Sequence, residues 1–424
     1  MLRLIYPLLL MLLLPLVWLR LQWRARKEPA YGERQAERFG GVPHTVGQGQ
    51  VWFHTVSAGE TLAAVALIER LIERHPEQTF LVTTMTPTGS EQVRQRLGDK
   101  VEHCYAPYDF GFAVRRFVKR VQPRMLVLME TELWPHLIGM TAATGAPVAM
   151  VNARLSERSA KGYTRVASLV YPMLQHLSWI ACQTQDHRQR FAALGAPEEH
   201  LTVAGNVKFD LQLPTDFSQT TQQLRTRLGI VDQPVWLAAS THEGEEALVL
   251  DSFSQLRKQL PDLLLLLVPR HPHRAAELMT QCQQQGWQVA LQSSAEEGAQ
   301  PDIWLGDVMG TLLNLYGVAN VAFVGGSLVE RGGHNPMEPA VAGTPMISGP
   351  HVFNFAQAYE QLGAADAVTL VQSGEELTVA TEQLLANKAE ASAQAEAAQQ
   401  VVGANRGATD QLVAGIERLL DKTL

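Results

Sequence analysis

Cysteine is scarce in this chain: Cys104, Cys182 and Cys282 stand far apart, odd in number and in no CxxC pair. That pattern excludes a disulfide framework and a zinc knuckle, and it points to a reducing, cytoplasmic setting for the body of the protein. Charge is sparse too. Asp, Glu, Lys and Arg make up 18% of the sequence with a net charge of −7, so there is no broad basic surface of the kind that holds nucleic acid. Signatures of common chemistry are also missing. No GxGxxG follows the first strand-like run, and GxxxxGK(S/T), HExxH and GxSxG do not occur. Their absence removes the dinucleotide oxidoreductase, P-loop, zincin and hydrolase readings. The histidines are scattered without metal-ligand spacing, so neither a metal nor a cofactor is expected.

A length of 424 residues exceeds one typical core, and a hydrophobic content of 46% fits a globular chain, so two domains are expected. The N-terminus departs from that pattern. Leu4 to Leu19 carries no charge and is followed by Arg20, Arg24, Arg26 and Lys27. As a helix this run is about 24 Å long against a hydrocarbon core of roughly 30 Å, so a marginal span and a monotopic insertion both stay open. A cleaved signal peptide is the competing reading. No small-x-small site follows, and the positive cluster lies after the apolar run, so residues 1–23 read as an uncleaved signal-anchor with the body on the cytoplasmic side.

Beyond the anchor, short apolar runs alternate with helical patterns. Val51–Val56, Phe80–Thr84, Met125–Met129, Val148–Val151 and Trp179–Cys182 read as buried strands of a first half. Residues 207–233 turn polar, and Val235–Ala239, Leu263–Val268, Ile303–Leu305 and Val321–Val324 repeat the scheme. Strands separated by helices imply parallel, doubly wound sheets. The expected fold is α/β, with two Rossmann-like domains over residues 24–213 and 214–424. The expected site is the cleft between them, at the carboxyl ends of the strands.

The residues just after each strand carry the candidate chemistry. Glu60 opens the first helix, where Ser57-Ala58-Gly59-Glu60 also fits a capping box, so a structural cap and a general base are both open. Glu130 and Glu132 follow an apolar strand. Arg154 offers a guanidinium suited to a carboxylate or phosphate, and Lys208 lies at the linker. In the second half Ser240 precedes a helix, Arg270 and His271 end the leucine-rich strand, and Met309-Gly310 leads into another helix. Val321–Val324 is followed by Gly325-Gly326, Gly332-Gly333 and a helix start at Asn335-Pro336-Met337-Glu338. Strand, glycine loop and helix N-terminus suit a phosphate, with Glu338 placed for a ribose hydroxyl pair; an ordinary strand-to-helix connection is the plain alternative.

Taken in order, the loops HTVSAGET (54–61), TTMTPTGSE (83–91), ETELWP (130–135), NARLSERS (152–159), GNVKFD (205–210), ASTHEGEE (239–246), VPRHP (268–272), FVGGSLVERGGHNPMEPA (323–340) and GPHVFNF (349–355) resemble the Kdo (3-deoxy-D-manno-octulosonic acid) transferases of lipopolysaccharide biosynthesis. The resemblance spans nearly the whole chain. It implies a GT-B glycosyltransferase that moves Kdo from CMP-Kdo to the lipid A precursor lipid IVA, with inversion and without a metal, at the cytoplasmic face of a cell inner membrane. It implies an acceptor-binding N-terminal domain and a CMP-sugar-binding C-terminal domain. Glu60 matches the family's catalytic base and Glu132 a second acidic position. Ser57, Arg154, Lys208, Ser240, Arg270, His271, Met309, Gly310, Asn335 and Glu338 are the expected substrate-binding residues, Arg270 and Asn335 at the phosphate and Glu338 at the ribose. Two alternatives stand beside it: a GT-B-like nucleotide-sugar epimerase, and a non-catalytic nucleotide-sugar or lipid-binding membrane protein.

Overall fold

Strands buried on both faces need helices on both sides, which parallel crossover connections supply. Every residue of Val51–His54, Phe80–Thr84 and Met125–Met129 is buried in the computed structural model, which describes residues 2–294 and 299–422. The chain divides into two compact units, Met1–Lys208 together with Gly407–Leu424, and Phe209–Arg406.

In the first unit the strands are β1 (Val51–His54), β2 (Phe80–Thr84), β3 (Glu102–Tyr105), β4 (Met125–Met129), β5 (Val148–Ala153), β6 (Trp179–Cys182) and β7 (Leu201–Val203). They pair in the order β3-β2-β1-β4-β5-β6-β7, all parallel. The order reverses between β1 and β4, and ligands in doubly wound sheets bind beyond the carboxyl ends of the strands at that reversal. The helix Ala58–Arg74 after β1 buries Ala64, Leu67, Ile68 and Leu71, a stripe at three-to-four-residue spacing.

The second unit repeats the plan with β8 (Val235–Thr241), β9 (Leu264–Pro269), β10 (Val289–Leu291), β11 (Ile303–Leu305), β12 (Val321–Val324), β13 (Met346–Ser348) and β14 (Thr369–Leu370). Its order is β10-β11-β9-β8-β12-β13-β14, again parallel, with the reversal between β8 and β12.

The boundaries differ from 24–213 and 214–424. The second unit begins at Phe209, whose ring is buried with Val324 and Met337. The polar stretch 207–233 contains the helix Phe217–Arg227, packed on Leu312–Val318. The last helix, Ala408–Asp421, belongs to the first unit: Leu412, Val413 and Ile416 share a core with Phe53, Leu67 and Leu71. Gly415 fits because a β-carbon there would strike the ring of Trp179. One helix among the described residues, over Ile5–Lys27, is long and apolar enough to cross a membrane.

Candidate functional site

At the first reversal, β1 gives way to Thr55, Val56 and Ser57, and the next helix starts at Ala58. Ser57 caps that helix, its Oγ accepting from the Glu60 amide at 3.4 Å and donating to Glu60 Oε1 at 2.8 Å. The Val56 amide donates to Glu60 Oε2 at 2.8 Å. Ser57 therefore caps the helix as the sequence suggests, with Glu60 reaching back to the Val56 amide and the Ser57 hydroxyl, one residue beyond the amide of a standard capping box. Burial raises the Glu60 pKa and the Glu130 charge adds to it, while the Val56 and Ser57 hydrogen bonds and Lys208 act the other way. A carboxylate offers about four lone-pair positions, of which the cap takes two. The same side chain can cap a helix and still accept a proton.

Beyond β4, Glu130 has a φ of 57° and Asn152, in β5, a φ of 52°, both in the left-handed region that non-glycine residues seldom occupy. Such backbone persists where surrounding bonds hold it, and it gathers at functional sites. Here the Asn152 side chain accepts from the Val207 amide at 3.2 Å, tying the Lys208 segment to β5. Lys208 Nζ donates to Glu130 Oε1 at 2.5 Å, and Arg154 Nη1 lies 3.8 Å from Glu130 Oε2. Burial pushes the Glu132 carboxyl up to about 7, opposed by a 2.5 Å bond from Trp134 Nε1 and reinforced by the Glu60 and Glu130 charges. The first unit thus gathers Ser57, Glu60, Glu132, Arg154 and Lys208 around one reversal point. Glu130, which the sequence offered beside Glu132 without a role of its own, is where the two cations converge.

At the second reversal the glycine loop is occupied from within. Glu245, fully buried, accepts from the amides of Gly326 at 2.7 Å and of Ser327 and Leu328 at 2.9 Å, and from the His242 amide at 2.9 Å. Gly325-Gly326 is therefore not an open phosphate cradle; its donors already hold an anion. The side chains beside the loop form a group of their own. His242 Nε2 and His334 Nε2 lie 3.0 Å apart with rings stacked at 5.2 Å, and the His271 ring stands 5.8 Å from that of His242. Burial, His242 and Arg270 pull His334 down to about 4, and burial lowers His242 as well.

Arg270 acts on both His334 and Glu338, and the Asn335 side chain donates to Glu338 at 3.5 Å while accepting from the Met337 amide at 3.1 Å. Burial raises the Glu338 pKa. The helix beyond is short, Met337–Ala342, and Asn335 occupies its first amide. Ser240, with φ 55°, is the penultimate residue of β8, and its carbonyl lies against Gly325. Met309 and Gly310 follow β11, which lies two strands from β8, and Met309 is exposed. The sequence named Ser240, Arg270, His271, Asn335 and Glu338 but not Glu245, His242 or His334. An acid in a first helical turn facing a distant glycine loop was the one available sign.

Residues 33–211 match the family model described as 3-deoxy-D-manno-octulosonic-acid transferase (kdotransferase). The 3-deoxy-D-manno-octulosonic acid transferase of Haemophilus influenzae is 38% identical over 429 residues, covering 100% of this chain and 100% of that protein. The transferase of the same name from Bordetella pertussis is 37% identical over 431 residues, covering 97% and 98%. Among solved structures, UDP-GlcNAc 2-epimerase from Neisseria meningitidis bound to UDP-GlcNAc aligns with TM-score 0.54 and 14% identity, over 87% of this chain and 100% of that one. That likeness concerns the fold alone, two Rossmann-like sheets of the GT-B class. With full-length identity at this level, the chain belongs to the 3-deoxy-D-manno-octulosonic acid transferase family and is a glycosyltransferase.

Proposed function

We propose that this enzyme transfers Kdo from CMP-Kdo to lipid IVA, inverting the anomeric centre, with Glu60 as the general base and no metal in the transfer step. The observation that carries the reading is Glu60 itself, a buried carboxylate of raised pKa at the first reversal point with acceptor positions to spare. Glu60 takes the proton of an acceptor sugar hydroxyl, and the freed oxygen bonds to the anomeric carbon of Kdo. The bond from that carbon to the phosphate oxygen breaks, and CMP leaves with the electron pair. General-base assistance of this kind is worth about 10²–10⁴-fold in rate.

In this reading the first unit takes the acceptor, with Lys208 and Arg154 toward its phosphates or the Kdo carboxylate, and Glu132 beside the base. The second unit takes the nucleotide, with Arg270, His271, Ser240 and Asn335 at the phosphate, Glu338 at the ribose and Met309-Gly310 in the adjoining loop. Support comes from the charge balance of each group and from the family's name. The apolar helix and its basic flank support attachment at the cytoplasmic face of the inner membrane, where anionic lipid and a phosphorylated acceptor meet the same cations. The test is incubation of purified protein with CMP-Kdo and lipid IVA in detergent, following the lipid by mass. A Kdo adduct is expected; unchanged lipid with active control enzyme sinks the reading.

A further inference from the structure

The N-terminal helix, Leu2–Lys27, is apolar all round through Leu4–Leu19, so neither of its faces there is suited to water. Its inner side is held by the first unit. Tyr6, Leu10, Leu13, Val17 and Leu21 recur at three-to-four-residue spacing and are half-buried or buried. Near the first turn, the Tyr6 hydroxyl donates to Asp109 Oδ2 at 2.7 Å, and its ring stands 5.3 Å from that of His136. Asp109 is itself fixed, accepting from the amides of His136 at 3.1 Å and Leu137 at 2.8 Å. The helix also packs against Ala167–Gln175. Near its far end Leu21 is buried, and Gln22 Nε2 donates to Gln35 Oε1 at 2.8 Å. Tyr6 and Gln22 are separated by about 24 Å of helix, so the segment is fastened at both ends of its apolar run.

A helix crossing the bilayer in this position would draw Asp109 and His136 into hydrocarbon with it. Lying in the membrane plane avoids that cost. The outer side suits the second arrangement. Ile5, Leu8, Leu12, Leu16 and Leu19 form one stripe opposite the docked face, and Leu8 and Leu12 are 71% and 76% exposed. Trp18 and Trp23 are exposed, and the Lys27 ammonium sits 4.1 Å over the Trp23 ring, residues that favour the headgroup level. In the helix Gly111–Val121, which starts just after Asp109, Phe112 is exposed, as are Arg115, Arg116 and Lys119. On a chain of net charge −7, this local basic group, with Arg20, Arg24 and Arg26, fits anionic lipid headgroups.

We propose that the N-terminal segment lies flat in one leaflet of an anionic lipid surface, clamped along its inner side to the first unit, and does not cross the bilayer. This deepens the membrane part of the proposed function and rests on it for the choice of a lipid surface. Cys104, Cys182 and Cys282 are all buried, so Ile5→Cys, Leu12→Cys and Leu19→Cys each give the full-length protein one reactive thiol for a nitroxide probe. In vesicles of phosphatidylethanolamine and phosphatidylglycerol, probe depth is read by electron paramagnetic resonance from accessibility to oxygen and to a water-soluble nickel complex. Three equal, shallow depths are expected. A Leu12 probe about 10 Å deeper than the other two is the signature of a span and overturns the proposal. Three probes that stay in water with vesicles present, or that bury only as protein concentration rises, overturn it too, the latter in favour of a second copy. The readout contains no transfer chemistry, so its failure and that of Kdo transfer are told apart.

Discussion

Glu60 caps its helix with two acceptor positions, and the base role proposed for it draws on the others. Its raised pKa places the ascending limb of kcat above the ordinary carboxylate range, because only the ionised form takes a proton. Glu132 gives a second pH effect. Its carboxyl moves from 4.5 to about 7 on burial, so the folded chain binds this proton more tightly than the unfolded one. Stability from this group is then present at low pH and falls as pH rises from about 4.5 through 7. The urea midpoint of Glu132→Gln should gain on wild type across that window; a difference that does not vary with pH contradicts it. Glu245 is the structural counterpart in the second unit. Hydrogen bonds to a charged group are worth about 1.5–3 kcal/mol each, and four amides lose theirs in Glu245→Ala, so a loss of at least about 3 kcal/mol by urea denaturation is expected. The sequence made both roles of Glu60 legible because the capping partners are three and four residues away. It concealed Glu245 because three of its donors lie more than eighty residues on.

At the level of elements, β1, β2, β4, β8, β9 and β12 were readable from continuous apolar runs bounded by polar loops. The strands that escaped, β3, β7, β13 and β14, are two to four residues long, and β3 carries Glu102 and His103, so neither length nor pattern marks them. The last helix was readable as a helix but not by its destination, since amphipathic patterning names a buried face without naming what covers it. Its seat depends on Gly415 against Trp179. Gly415→Val is expected to push the helix off the first sheet, lowering Tm by several degrees and exposing the C-terminal segment to limited proteolysis. Wild-type resistance to protease in that variant would contradict this packing account.

For the whole molecule, two sheets of the same plan place different chemistry at the same topological point: a carboxylate cluster with two cations at the first, a histidine and arginine group around an internal carboxylate at the second. The duplication was legible from the repeated strand and helix pattern, and the division of charge was not, because it depends on which loops meet. Membership in the Kdo transferases fixes the class of reaction. The central claim is that Glu60 is the base. Glu60→Gln keeps a residue that closes capping boxes while removing the proton acceptor. Assayed with CMP-Kdo and lipid IVA, it should lose about 10²–10⁴-fold in kcat while binding CMP as wild type does. Turnover at the wild-type rate, with folding and CMP binding intact, would contradict it.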